Sequence, residues 1–208
     1  MKKPIRLSTL ALTLLLLAGC SGTSYIKKAK NIASWKQTIS QLQALQQWQL
    51  SGKISIRSAD DIYTADLFWQ QKAGDLTLRL IAPFSQGATQ FSGNEEKGYQ
   101  VLTDQGELYA VDSPESATEN AFGVSLPFSE LRSWIKGLPV PDLPVWRARF
   151  NDDNRLQSFE QSGWQVKILN YTKVADQVLP AKLFLSRLNQ ELTDNKVEIR
   201  LILRRWVL

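Results

Sequence analysis

From Tyr25 to Gln47 the apolar residues Ile32, Trp35, Ile39, Leu42 and Leu45 recur every three or four positions, with Lys and Gln between them. That is the period of an amphipathic helix. At Trp48 the period drops to two: Trp48, Leu50, Gly52, Ile54 and Ile56 take one face of a strand, and Gln49, Ser51, Lys53, Ser55 and Arg57 take the other. After a turn at Ala59-Asp60-Asp61, Tyr63, Ala65, Leu67 and Trp69 alternate again, and beyond Gly74-Asp75 so do Leu76, Leu78 and Leu80. Shorter strand-like runs follow at Thr89–Ser92, Tyr99–Thr103 and Glu107–Val111, separated by turns at Gly93-Asn94 and Asp104–Gly106.

The alternation lapses between Ser113 and Gly137. Ser113-Pro114-Glu115 reads as a helix start with proline in the first turn. Phe128, Leu131, Trp134 and Ile135 then form a second apolar stripe that stops at Gly137, and Leu138 to Pro144, with three prolines, must be loop or sheet edge. Strands resume at Val145–Phe150, Arg155–Gln161, Trp164–Tyr171, Leu179–Leu188 and Lys196–Val207. Strict alternation in the last of these puts Val197, Ile199, Leu201 and Leu203 on one face with Arg205. About ten or eleven strands joined by short turns predict an antiparallel meander. A twisted sheet that long curls or closes, giving a barrel or half-barrel with the inserted helices over its mouth. A large barrel not filled by its own side chains encloses a cavity.

The first twenty residues add an export signal. Lys2, Lys3 and Arg6 precede the short apolar run Leu10 to Leu17, which ends in Leu17-Ala18-Gly19-Cys20. The run is too short to span a bilayer and reads as the core of a signal peptide. The Leu-Ala-Gly-Cys order resembles the lipobox of bacterial lipoproteins, in which the cysteine carries an S-linked diacylglycerol and an N-acyl chain. We therefore expect residues 1–19 to be cleaved, 20–24 to be a lipidated cysteine and tether, and 25–208 to be one domain. Ser21, where retention in the inner membrane calls for Asp, fits delivery to the outer membrane. Removing residues 1–19 from the 208 leaves 189 and takes away three basic residues and no acidic one, so the net charge falls from +5 to +2. A nucleic-acid-binding reading loses its main support with that basicity. Cys20 is the only cysteine, so no disulfide is available.

Several function classes are excluded on residue type. The chain has no histidine, which removes Ser-His-Asp and Cys-His nucleophile systems and histidine metal sites. With the single thiol acylated, zinc-thiolate sites go too, and no Walker A or Gly-x-Gly-x-x-Gly loop is present. The acidic pairs Asp60-Asp61, Glu95-Glu96 and Asp152-Asp153 sit beside Ser, Gly or Asn and read as solvated turns. No catalytic residue, metal or cofactor beyond the covalent lipid on Cys20 is expected.

Three stretches resemble the LolB family of outer-membrane lipoprotein receptors. They are Trp48-Gln-Leu-Ser-Gly-Lys-Ile-Ser-Ile-Arg57, Leu76 to Leu80 running into Ile81-Ala-Pro-Phe-Ser-Gln-Gly87, and Leu131-Arg-Ser-Trp-Ile-Lys-Gly-Leu-Pro139. Trp206 near the C-terminus also fits, and the similarity runs in order over nearly the whole chain. The resemblance implies an unclosed antiparallel half-barrel with a helical lid over an apolar cavity. It also implies a monomeric receptor, facing the periplasm from the inner leaflet of the outer membrane, that takes triacylated lipoproteins from the carrier LolA and inserts them into that membrane. The family's exposed apolar side chain for insertion corresponds here to Phe84, followed by Ser85 where the family commonly has Leu-Gly. A dry cavity for acyl chains matches the apolar faces of Trp48, Leu50, Ile54, Ile56, Leu67, Trp69, Leu78 and Leu80, with Phe128, Leu131 and Trp134 on the lid. Alternation alone does not distinguish that hollow interior from a filled core. Lys53, Arg57 and Arg79 are candidates for a basic surface that meets acidic groups on the carrier. A carrier of free lipid or glycolipid, and a solid-cored structural envelope lipoprotein, remain the alternative readings.

Overall fold

Eleven strands hydrogen-bond in the order β6-β5-β4-β3-β2-β1-β11-β10-β9-β8-β7, all antiparallel, in a computed structural model that describes residues 24–58, 61–83, 87–187 and 197–208. In chain order they are β1 (Gln47–Arg57), β2 (Ile62–Lys72), β3 (Asp75–Ile81), β4 (Ala88–Asn94), β5 (Gly98–Leu102), β6 (Leu108–Val111), β7 (Trp146–Phe150), β8 (Leu156–Gln161), β9 (Trp164–Val174), β10 (Gln177–Arg187) and β11 (Glu198–Val207). The strands sit where period-two alternation places them, because a face of every second residue has to be buried. In β1 that face is Trp48, Leu50, Gly52, Ile54 and Ile56.

Topology generates the lid. The chain leaves the sheet at β6, one edge, and re-enters at β7, the other edge. The intervening segment must therefore cross a face of the sheet; it crosses the concave one, where its apolar side chains are buried, and carries the helices α2 (Pro114–Phe122) and α3 (Phe128–Trp134). The sheet curls around them. Phe128 of α3 meets Trp69 of β2 at 5.7 Å between ring centroids, and Trp134 at its far end meets Phe159 of β8 at 6.3 Å. Those strands are five places apart in the order, roughly 24 Å in a flat sheet. A seven-residue helix is only about 10 Å long, so the two strands must turn towards each other.

The helical pattern of residues 25–47 is broken in two: a 3-10 turn over Ser24–Lys28 and helix α1 over Ile32–Gln43. Asn31 causes the break, since its extended backbone and its side chain, which accepts from the Ser34 N–H, cap a fresh helix. Asn31 and Asn154 exchange two hydrogen bonds, Lys30 pairs with Asp152, and Trp35 packs edge-on against Phe150 at 5.1 Å. These contacts fasten α1 to the β7–β8 turn. By register, the β1–β2 and β3–β4 connections emerge at the opposite end of the sheet.

One expectation from strict alternation is corrected. Arg205 does not share a face with Leu203. The β1–β11 register shifts between Ser51 and Gly52, so Gly52 pairs with Leu203 while Ser51 pairs with Arg205. This bulge turns Arg205 outward and Trp206 inward, where it is buried against Trp48 at 5.4 Å. Gly52 permits it: a Cβ there would lie 2.1 Å from the Ile202 carbonyl oxygen. Gly52→Ala is expected to lower stability by about 2 kcal/mol or more, read as a fall in the urea midpoint. A midpoint equal to wild type would remove the close approach at this seam.

Candidate functional site

The concave side of the sheet is packed at one end and open at the other. At the α1 end, Trp206, Trp48, Trp69 and Phe128 meet in succession as tilted or edge-on rings at centroid separations of 5.3–5.7 Å, a filled aromatic layer. Towards the β3–β4 connection the packing opens into a cavity of about 240 Å³. Ile54 and Ile56 of β1, Ala65 of β2 and Leu80 of β3 form its apolar floor. Ala82 and Gly87, which bracket the β3–β4 connection, lie at its rim with Asp104. Phe122, the last residue of α2, roofs it and leans on Tyr63 with ring centroids 5.4 Å apart.

The two lid helices are held differently. The N-terminus of α2 carries a capping box in which the side chains of Ser113 and Ser116 each accept the other's backbone N–H. It ends at Gly123, whose φ of 66° is the left-handed conformation glycine adopts without strain. Over the cavity its Phe122 leans on Tyr63 of the sheet, while Ala117 and Thr118 are buried and the Leu126 and Ser129 N–H groups donate to the Thr118 hydroxyl and the Glu115 carboxylate at 3.0 and 2.8 Å. Helix α3 is pinned through the buried Gln161 of β8. Its Oε1 accepts from Trp134 Nε1 at 3.0 Å and from the Val140 N–H at 2.8 Å, while its Nε2 donates to the Val140 and Leu143 carbonyls. Every hydrogen-bonding position of that amide is used. Where α3 ends, Gly137 leaves room for the ring of Tyr171. The Tyr171 hydroxyl donates to the Leu156 carbonyl at 2.6 Å, and burial pushes its pKa up.

All eleven side chains anticipated for an acyl cavity are buried on the concave side. Ile54, Ile56 and Leu80 line the open volume, and Trp48, Leu50, Leu67, Trp69, Leu78, Phe128, Leu131 and Trp134 belong to the packed layer around it. Phe122 was not legible as a cavity residue, although the Phe-Gly step at a helix end hints at a side chain thrown over the turn. Cys20 and Phe84 lie outside the described residues. Among the described residues no cluster of side chains could hold a metal ion, and no helix is long and apolar enough to cross a membrane.

The outer face of the sheet has a different character. Lys53, Arg57, Arg79, Lys167, Lys182, Arg200 and Arg205 all lie on it, together with the acids Asp66, Asp75, Glu160 and Glu198. Lys53 pairs with Asp66 at 3.2 Å, and Phe184 is flanked by the cations of Lys167 and Arg200 at 5.9 and 5.6 Å. The anticipated basic residues Lys53, Arg57 and Arg79 therefore face away from the concave-side cavity. A second cavity, of about 530 Å³, crosses this outer face.

The sequence profile of the family described as Outer membrane lipoprotein LolB matches residues 46–206. An Outer-membrane lipoprotein LolB from Pseudomonas paraeruginosa is 34% identical over 205 residues, covering 97% of this chain and 96% of that protein. One from Nitrosococcus oceani is 31% identical over 204 residues, covering 98% of each. Among solved structures, a putative outer membrane lipoprotein-sorting protein domain from Vibrio parahaemolyticus shares the fold at a TM-score of 0.52 and 8% identity, covering 88% of this chain and 92% of that one.

Gln161→Leu is expected to strand the Trp134 N–H and the Val140 backbone groups. At about 1–3 kcal/mol for each buried group left unpaired, the loss should show in urea unfolding as a midpoint well below wild type. Unchanged stability would mean that α3 is not tied to β8 through this amide.

Proposed function

The chain belongs to the LolB family of outer-membrane lipoproteins, and on that premise we propose that it accepts triacylated lipoproteins from the periplasmic carrier LolA and inserts them into the outer membrane. It does so by binding and release, without catalysis. The observation that carries this reading is the apolar cavity under α2, whose rim is formed by the two ends of the β3–β4 connection. Phe84 lies within that connection. Acyl chains in water cost about 0.8 kcal/mol per methylene, so three chains cost on the order of tens of kcal/mol unless a dry surface covers them throughout transfer.

At about 240 Å³ the cavity lies below the roughly 300–1,000 Å³ of pockets that enclose a whole small molecule. The tails of a cargo need more room than that, and α2 is the element that yields. Its C-terminal end rests on the sheet through Phe122 against Tyr63, with Gly123 following as a pivot, while its buried first turns, Ala117 and Thr118, stay with α3 through the Glu115–Ser129 and Thr118–Leu126 hydrogen bonds. Helix α3, locked through Gln161, keeps the aromatic layer beneath it closed. Cargo tails then lie along Ile54, Ile56 and Leu80 and leave past Phe84, an apolar side chain suited to parting lipid headgroups. Cleavage of residues 1–19 and acylation of Cys20 anchor the receptor beside the leaflet that it fills, with residues 20–24 as the tether.

Two variants test separate steps. Phe84→Glu should accept cargo from the carrier and fail to deposit it in liposomes; deposition at the wild-type rate would take Phe84 out of the mechanism. Ala65→Phe places a ring in the cavity floor. It should lower the capacity for a hydrophobic dye displaceable by fatty acid at least several-fold, with the thermal unfolding temperature nearly unchanged. Full dye capacity in that variant would move the acyl site elsewhere.

A further inference from the structure

We propose that the groove on the outer face of the sheet is a docking site for an extended acidic segment of another protein, with two carboxylates four residues apart and an apolar side chain between them. This goes beyond the acyl-chain reading and involves the opposite face of the sheet.

The register builds the site. Arg205, Ser51, Phe68 and Arg79 are successive cross-strand partners on β11, β1, β2 and β3, so they stand in one row across the sheet. Phe68 is 48% exposed between the two guanidinium groups. Arg205 takes its place only because of the bulge at Ser51/Gly52, without which it would point inward. Among the described residues no carboxylate lines the groove, and the remaining polar wall is made by the amides of Gln49, Gln70 and Gln90 and the hydroxyl of Thr77.

Two arginines without an acid between them select an anion. Three strand spacings of about 4.8 Å place them roughly 14 Å apart. An extended chain advances about 3.3 Å per residue and presents residues i, i+2 and i+4 on one face. Carboxylates at i and i+4 therefore reach both arginines, and an apolar residue at i+2 lies on Phe68. Side-chain amides supply both donors and acceptors for the backbone of such a segment. A flat bilayer fits the same surface poorly, because a convex sheet touches a plane along a line and leaves a groove unfilled.

The test uses the full lipid-anchored chain in neutral phosphatidylcholine nanodiscs and a fluorescein-labelled peptide Glu-Thr-Leu-Thr-Glu, followed by anisotropy. Saturable binding is expected, weakening as salt rises. The double variant Arg79→Gln/Arg205→Gln should weaken it at least tenfold, as should replacing both peptide Glu residues by Gln, and Phe68→Ser should weaken it several-fold. Absence of saturable binding, or equal binding by the double variant, would overturn the proposal. So would a double variant that loses association with phosphatidylglycerol vesicles while the wild type ignores the peptide, since the occupant would then be lipid. Acyl-dye capacity, read on the same samples, reports on the concave cavity, so failure of the groove and failure of the acyl site are separate results.

Discussion

The architecture depends on the pairing of the first strand with the last. Every other neighbour relation in the sheet joins strands consecutive in the chain, and only β1 with β11 brings together segments about 150 residues apart. That seam makes one sheet out of two hairpin stacks, β1 to β6 and β7 to β11, and places the two stacks' free edges at opposite ends of the strand order. Once the edges are apart, the chain between them has to cross one face of the sheet. It takes the concave one, where Ala117, Leu126, Phe128, Leu131 and Trp134 are buried.

Within that frame the interior serves two opposed demands. A core must be filled to contribute stability, whereas the proposed acyl site must stay open and dry. The molecule separates them along the strand axis. Aromatic rings fill the end near α1, and smaller side chains such as Ala65 and Ala82 leave space at the other, on the β1–β3 side of the sheet. The fully bonded Gln161 amide stands at that same end but on β8, several strands from the cavity, where rigidity is tolerable. The Phe122–Tyr63 ring contact, which carries no hydrogen bond of comparable number, lies over the cavity itself.

The strands were legible because a half-buried strand writes its burial directly as alternation, as Trp48 to Arg57 shows. What alternation cannot express is an extra residue. The bulge at Ser51/Gly52 reverses the facing of Arg205 and Trp206, and the only local sign of it is a glycine in mid-strand. Helix breaks were hidden for a related reason: Asn31 interrupts a continuous apolar stripe through a cap, not through a change of period. Whether the interior is full or hollow depends on how far the sheet curls and how the helices sit in it. Those are relations between distant residues, and Phe122 over Tyr63 is an instance that no window along the chain contains.

The β1–β11 seam also bears on how the chain reaches its native state. Contacts of such long sequence separation form late, after the local hairpins. A chain that emerges N-terminus first presents Trp48, Leu50, Ile54 and Ile56 long before β11 exists to flank them. Until the last strand arrives, β1 is paired with β2 on one side and leaves its other, tryptophan-bearing edge open. A nascent molecule in that condition is a natural client for periplasmic holdases and a natural target for proteases. Truncation of even the final strand would leave it so permanently.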